Sequence, residues 1–215
     1  MGSSRMIENI FSLQIFRKQI CDPVLSNIQD EIKNLDDNNQ LEKFMLSIRP
    51  HNFKTETDHP YMSDLDASSN FIKDYELFFL ENEIILNANT YLHYITKPSN
   101  YNFTNFRITA SNILYFPPGY SGLPHAHMPG KLSGVYYFKT KNTCGNFKMI
   151  SPVPYPYPYF QDDLFHNLCH EYSADEGSMI IWPSWLLHEI SENTSEEMRI
   201  SISFQINYDV AEISR

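Results

Sequence analysis

A mainly β fold, a sandwich or barrel carried behind a helical N-terminal part, is what this sequence predicts. Three observations carry that expectation. After Pro98 the apolar residues change to a period of two. The runs that show it are short, β-branched or aromatic, and separated by Pro, Gly and Asn clusters. No helical pattern stands between them, which argues against a parallel sheet with crossover helices.

The elements follow in chain order. Met1–Arg5 (MGSSR) reads as a remnant of recombinant expression ahead of a natural start at Met6. A short apolar opening (Ile10, Phe11, Leu13, Ile15, Phe16) precedes a helix over Cys21 to Leu35, where Val24, Leu25, Ile28, Ile32 and Leu35 recur at helical spacing. The polar run Asp36 to Gln40 closes it. A second helical pattern runs from about Ser69 to Thr96, with Ile72, Tyr75, Phe79, Ile84, Leu86, Tyr91, Leu92 and Ile95 as its apolar residues, and stops at Lys97-Pro98. Strands are expected over Phe106–Ser111, Leu132–Lys139, Ser178–Trp182 and Ile200–Asn207. Between the second and third lies PVPYPYPY, Pro152 to Tyr159, whose alternating proline forbids a central strand and favours an extended loop. The expected organisation is one domain over residues 6–215, with 6–110 as helical support and flanking strands and 111–207 as the β core.

With 42% hydrophobic, 14% aromatic and 20% charged residues, the 215-residue chain can bury a core. Sixteen basic against twenty-six acidic residues leave a net charge of −10 without a Lys/Arg-rich run, so a nucleic-acid partner is not expected. No stretch approaches the ~20 consecutive apolar residues of a membrane span, and no secretory leader pattern opens the chain. Cys21, Cys144 and Cys169 are odd in number and scattered, which suits free thiols used for packing and a cytoplasmic location.

Chemistry concentrates in the histidines. His125 and His127 form an HxH pair after the turn Pro117-Pro118-Gly119, and His188 follows the strand that ends at Trp182-Pro183. Residues two apart on a strand point to one face, so the pair can aim at one point and a third His from a neighbouring strand can complete one face of an octahedral metal site. A lone histidine is usually a satisfied structural residue, whereas two at ligand spacing with a third in strand context favour a metal. His166 and His170, near Asp162, Asp163 and Glu171, read as a solvated loop or helix turn rather than as a metal pair.

The spacing from Tyr115 through Pro117-Pro118-Gly119 to His125-Ala-His127, then Ser133-Gly-Val-Tyr-Tyr137, then Pro183-Ser-Trp-Leu-Leu-His188 and Arg199-Ile-Ser201, resembles the 2-oxoglutarate/Fe(II)-dependent oxygenases. It is most similar to their prolyl-hydroxylase-like branch and to small oxygenases with an HxH, SGVYY and PSWxxH core, over roughly Tyr115 to Asn207. The resemblance implies a double-stranded β-helix, a cupin-like jelly roll. It further implies Fe(II) on His125, His127 and His188, and 2-oxoglutarate held by Arg199, Ser201, Tyr115, Ser133 and Tyr137. The implied reaction, for which His125, His127, His188 and Arg199 form the catalytic set, is oxidative decarboxylation of 2-oxoglutarate to succinate coupled to hydroxylation of a substrate C–H bond.

One departure bears on that assignment. The superfamily carries a carboxylate where this chain has His127, so three neutral imidazoles leave the site one charge more positive. The same three histidines, with Gly119, Gly177 and Pro183 around them, resemble the two metal motifs of cupins. A three-His dioxygenase acting on a thiol without 2-oxoglutarate is therefore the alternative reading, and a non-catalytic jelly roll that binds a ligand through its tyrosine-rich loop is the third. Arg199, Ser201 and the tyrosines favour the first, because they serve an oxo acid. Tyr155, Tyr157 and Tyr159 are expected to cover the substrate pocket, the substrate to be a small molecule or a peptide, and a homodimer is compatible with the sequence.

Overall fold

The computed structural model describes residues 13–37, 61–62, 70–96, 101–152 and 169–212. Ten strands and three helices form there, in the order β1 (Phe16–Gln19), α1 (Val24–Asp37), β2 (Tyr61–Met62), α2 (Phe71–Asp74), α3 (Phe78–Ile95), β3 (Tyr101–Phe116), β4 (Gly122–His125), β5 (Leu132–Lys139), β6 (Phe147–Ile150), β7 (Cys169–Tyr172), β8 (Ser178–Pro183), β9 (His188–Ile190) and β10 (Arg199–Glu212). They build a six-stranded sheet in the order β1-β8-β5-β10-β3-β2 and a four-stranded sheet in the order β4-β9-β6-β7. The pairings within both sheets are antiparallel. This is the double-stranded β-helix that the sequence motifs imply.

All four expected strands are present, and two are longer than their alternation shows. β3 extends to Tyr101 and β10 to Glu212 because the pair zips together over their full length, with register shifts near Gln205 and Asn207. The N-terminal part is more than support. β1 adds to the large sheet beside β8, with Phe16 opposite Ile181.

The expected helix over Cys21 to Leu35 is α1. The pattern over Ser69 to Thr96 is two helices rather than one. Glu76 takes a left-handed φ of 54°. Around it the Leu77 N–H donates to the Ile72 carbonyl (2.9 Å) and the Glu76 N–H to that of Lys73 (3.2 Å). That paired arrangement ends a helix, and the accompanying apolar contact between Ile72 and Leu77 is buried in the core. α3 then starts afresh, its Phe79 and Leu80 N–H groups capped by the Glu31 carboxylate of α1. Burial pushes the Glu31 carboxyl pKa up against those bonds. The restart turns the buried stripe to Leu80, Ile84, Ala88, Tyr91 and Leu92, so Phe79 and Leu86, expected in the core, are exposed.

Alternation divides the large sheet into two faces. Ile113, Tyr115, Tyr136, Met179, Ile181, Ile202 and Phe204 pack outward against the helices. Leu114, Phe116, Val135, Tyr137, Ile180 and Trp182 face inward, with Phe147, Met149 and Ile190 of the small sheet. Gly134 on the outer face is required for this packing, since a Cβ there would lie 2.3 Å from the Phe204 ring and 2.8 Å from the Ile180 carbonyl. No described helix is long and apolar enough to cross a membrane. The cysteines are free as expected, but only Cys144 is a packing residue. Cys21 and Cys169 are exposed, since each lies at an element edge that nothing described covers.

Candidate metal and cosubstrate site

His125 ends β4 and His188 opens β9, and the register sets them directly opposite each other. His127 lies just past β4, so strand alternation alone does not aim it. Its N–H donates to the Ser184 carbonyl at 2.9 Å, which folds the turn back over β9. The three side chains converge, with one ligand nitrogen from each within 4.8 Å of the others. His127 Nε2 and His188 Nε2 are 3.2 Å apart. Two nitrogens bound at about 2.1 Å to one ion at a right angle would be roughly 3.0 Å apart, so this spacing fits adjacent ligands of one metal.

The outer nitrogens are already committed. His125 Nδ1 faces the Leu123 carbonyl at 2.8 Å and His188 Nδ1 the Leu186 carbonyl at 2.9 Å. Each must carry its proton on Nδ1 to make that bond, which leaves Nε2 as the lone-pair donor facing the cluster. Burial, reinforced by the neighbouring imidazoles, holds His127 down at about 4 and His188 at about 3. Both are neutral near pH 7, as metal ligation needs. Among the described residues no carboxylate joins the group, and His127 occupies the second ligand position. Phe147 and Trp182 wall the cluster, their ring centroids 5.2 and 4.9 Å from that of His188.

The same compartment holds a buried cation. Arg199 is fully buried and donates once from Nη1, to the Gly145 carbonyl at 3.2 Å. Its guanidinium lies between the Phe116 and Tyr137 rings, 5.0 and 5.1 Å from their centroids. Nε and Nη2 meet no acceptor among the described residues, and neither do the hydroxyls of Tyr137, Ser201 and Ser178. Burying a guanidinium without a counter-charge is costly, and an anion with several acceptor oxygens would answer all these donors together. A carboxylate fits. The Arg199 charge lowers the Tyr137 phenol pKa, yet burial outweighs it and pushes the group up to about 12, which keeps it a donor.

The sequence-derived candidates fall into three groups. His125, His127, His188, Arg199, Tyr137 and Ser201 share the inner compartment. Tyr115 does not, and its expected role is corrected here. It pairs with Ile200, one residue off Arg199, and packs in the helix-facing core. Phe116 takes the inward position instead. Ser133 faces inward, but its hydroxyl lies 2.7 Å from that of Ser184 and its strand partner is Gln205. Gln205 lies four positions beyond Ser201, about 13 Å along the strand at roughly 3.3 Å per residue, so Ser133 is remote from the Arg199 end. Tyr155, Tyr157 and Tyr159 lie outside the described residues, as does His166. His170 is on β7, neither in a loop nor on a helix, beside Met149. Ser178 and Trp182 escaped the sequence reading. Strand parity with Ile180 was the available signal for both.

The fold is a double-stranded β-helix, and the three histidines on it form a candidate metal centre. Residues 113–205, from β3 into β10, match the family described as "Putative 2OG-Fe(II) oxygenase", so this stretch of the chain is similar to that family. Solved structures share the fold. The non-heme α-ketoglutarate-dependent carbocyclase SnoK from nogalamycin biosynthesis superimposes with a TM-score of 0.58 at 12% identity, over 93% of this chain and 82% of that one. HygX from Streptomyces hygroscopicus, with nickel and 2-oxoglutarate bound, gives 0.53 at 9% identity, over 91% and 83%. A prolyl hydroxylase from Trichoplax adhaerens, in complex with a hypoxia inducible factor oxygen degradation domain peptide fragment, gives 0.52 at 13% identity, over 90% and 82%. No curated protein matches the sequence.

Proposed function

We propose that this chain is an Fe(II)- and 2-oxoglutarate-dependent dioxygenase that hydroxylates a C–H bond of a small-molecule or peptide substrate. The observation that carries the reading is Arg199, a fully buried guanidinium with two nitrogens that meet no acceptor among the described residues, in the compartment of a three-histidine cluster. His125, His127 and His188 would hold the metal. Arg199, with the Tyr137 and Ser201 hydroxyls, would hold the far carboxylate of 2-oxoglutarate. Bound iron would supply the activation of oxygen, coupled to decarboxylation of the oxo acid to succinate and carbon dioxide. The protein's share is to fix the ligand tautomers through the Leu123 and Leu186 carbonyls and to keep the compartment dry with Phe147 and Trp182.

Leu123, Met128, Trp185 and Leu187 are exposed beside the histidines, so the rim around the candidate metal offers apolar surface to a substrate. Tyr155, Tyr157 and Tyr159 would complete that rim, stiffened by the intervening prolines. The Trichoplax relative binds a peptide. A peptide segment or a small molecule with an apolar part suits this rim better than a polyanion suits a net charge of −10.

The all-histidine cluster favours one further reading, a thiol dioxygenase without 2-oxoglutarate. Incubating the Fe(II) protein in air with 2-oxoglutarate or with small thiols separates the two. Succinate formation dependent on iron supports the proposal. Oxygen uptake with a thiol and none of the oxo acid consumed would transfer the assignment.

A further inference from the structure

One buried donor beside the histidine cluster is used neither by the cluster nor by the Arg199 cradle. Trp182 is 2% exposed, and its indole Nε1 is sealed from solvent and meets no acceptor among the described residues. An indole N–H can only donate, and buried tryptophans usually find a partner for it. Leaving such a group unpaired costs about 1–3 kcal/mol, so this position disfavours the ligand-free protein. A phenylalanine would fill the aromatic space without that cost.

The location decides what the donor is for. Trp182 shares the inner face of β8 with Ile180 and Ser178. Its ring stands edge-on to His188, at 64° and 4.9 Å, and 4.6 Å from Phe147. At the other end of the compartment, β10 sets Ser201 opposite Tyr137, with Arg199 two residues further on the same face. The inner donors therefore form two groups, one at the metal ligands and one around Arg199. A 2-oxo diacid has a carboxylate at each end. Chelation through the keto oxygen and one oxygen of the near carboxylate leaves that carboxylate's second oxygen without a partner. Arg199, Tyr137 and Ser201 belong to the other group of donors, further along β5 and β10.

We infer that Trp182 donates its indole N–H to the metal-proximal carboxylate of the bound 2-oxo acid. It is thus a cosubstrate-binding residue, and the inference rests on the 2-oxoglutarate reading above. The chain has two tryptophans, and Trp185 is half-exposed on the rim, which makes the contact directly observable.

The test uses the nitrogen-labelled full chain loaded with Zn(II), which is diamagnetic. On titration with 2-oxoglutarate, the Trp182 indole proton should move downfield and exchange more slowly with water, while that of Trp185 moves little. In the Fe(II) protein under anaerobic conditions, Trp182→Phe should weaken 2-oxoglutarate about tenfold, as for one hydrogen bond to a charged group, with metal affinity unchanged. Trp182→Leu should weaken it equally, since the loss belongs to the donor and not to the ring. An unmoved Trp182 resonance in a protein that binds 2-oxoglutarate would overturn the inference, and so would parental affinity in Trp182→Phe. The N–H would then rest on the ring faces of His188 or Phe147. A parent chain that binds metal but no 2-oxoglutarate would overturn the proposed function itself.

Discussion

Tyr136 and Tyr137 are adjacent on β5 and equally buried, yet they face opposite sides of the large sheet. Around Tyr136 the outer face is filled by Ile113, Ile202, Phe204 and the helices, so its contacts are mainly apolar, and its hydroxyl is a single buried donor without a partner among the described residues. Around Tyr137 the inner face carries a guanidinium, hydroxyls and an indole with several donors that lack acceptors among the described residues. One face of the sheet is built for stability. The other, on the function proposed above, holds its donors in place for a ligand at a cost in stability. Substitutions on the two faces should therefore separate folding from binding.

The largest effect is expected on the outer face. Phe204→Ala removes the ring that Gly134 admits and should destabilise the protein by about 3–5 kcal/mol, read by chemical denaturation, while the remaining folded molecules bind metal as the parent does. Arg199→Met should do the reverse. Replacing an unpaired buried charge by an apolar chain of similar length should raise or maintain the melting temperature. Affinity for 2-oxoglutarate, measured by calorimetry on the Ni(II) protein, should fall by about 2–5 kcal/mol.

Acid should act mainly on the inner face of the metal-free protein. His127 and His188 have folded pKa values of about 4 and about 3, below the ordinary value near 6.5, because burial disfavours their charged forms. Between those values and 6.5 the unfolded chain binds more protons than the folded one, so stability falls as the pH falls through that window. Melting temperatures of the apo protein should be level above pH 7 and decline from about pH 6.5 to about 4. A saturating divalent metal should flatten the decline.

The smallest effects give the sharpest comparison. Tyr137→Phe should weaken 2-oxoglutarate by about 1 kcal/mol, the size of one hydrogen bond. Tyr115→Phe should leave that affinity unchanged, because Tyr115 lies on the outer face with Ile200. Equal losses in both variants would break the division into faces.

Much of the arrangement was legible because alternation is a property of sequence. The strands through Leu132–Lys139 and Ile200–Asn207 could be read from their period, and His125, His188 and Arg199 from motif spacing. What failed depended on register. Whether Tyr115 or Phe116 points inward is decided by the pairing of Phe116 with Arg199 on β10, 83 residues away, and no local pattern encodes it. The break at Glu76 was hidden for a related reason. The chain uses a glutamate where glycine usually marks the end of a helix, and the apolar spacing of the two helices runs on across the turn. Short strands such as β4, which contains Pro124, and the three-residue β9 offer too few residues to show a period.

On the proposed function, the inner compartment takes an oxo acid chelated to iron on three histidines. Titrating 2-oxoglutarate into the anaerobic Fe(II) protein, and into Arg199→Ala, tests it most directly through the visible metal-to-ligand charge-transfer band. The account predicts a saturable band in the parent and its near loss in the variant at the same ligand concentrations. A parent protein that binds Fe(II) but develops no band, or a variant that develops it at parental affinity, would contradict it.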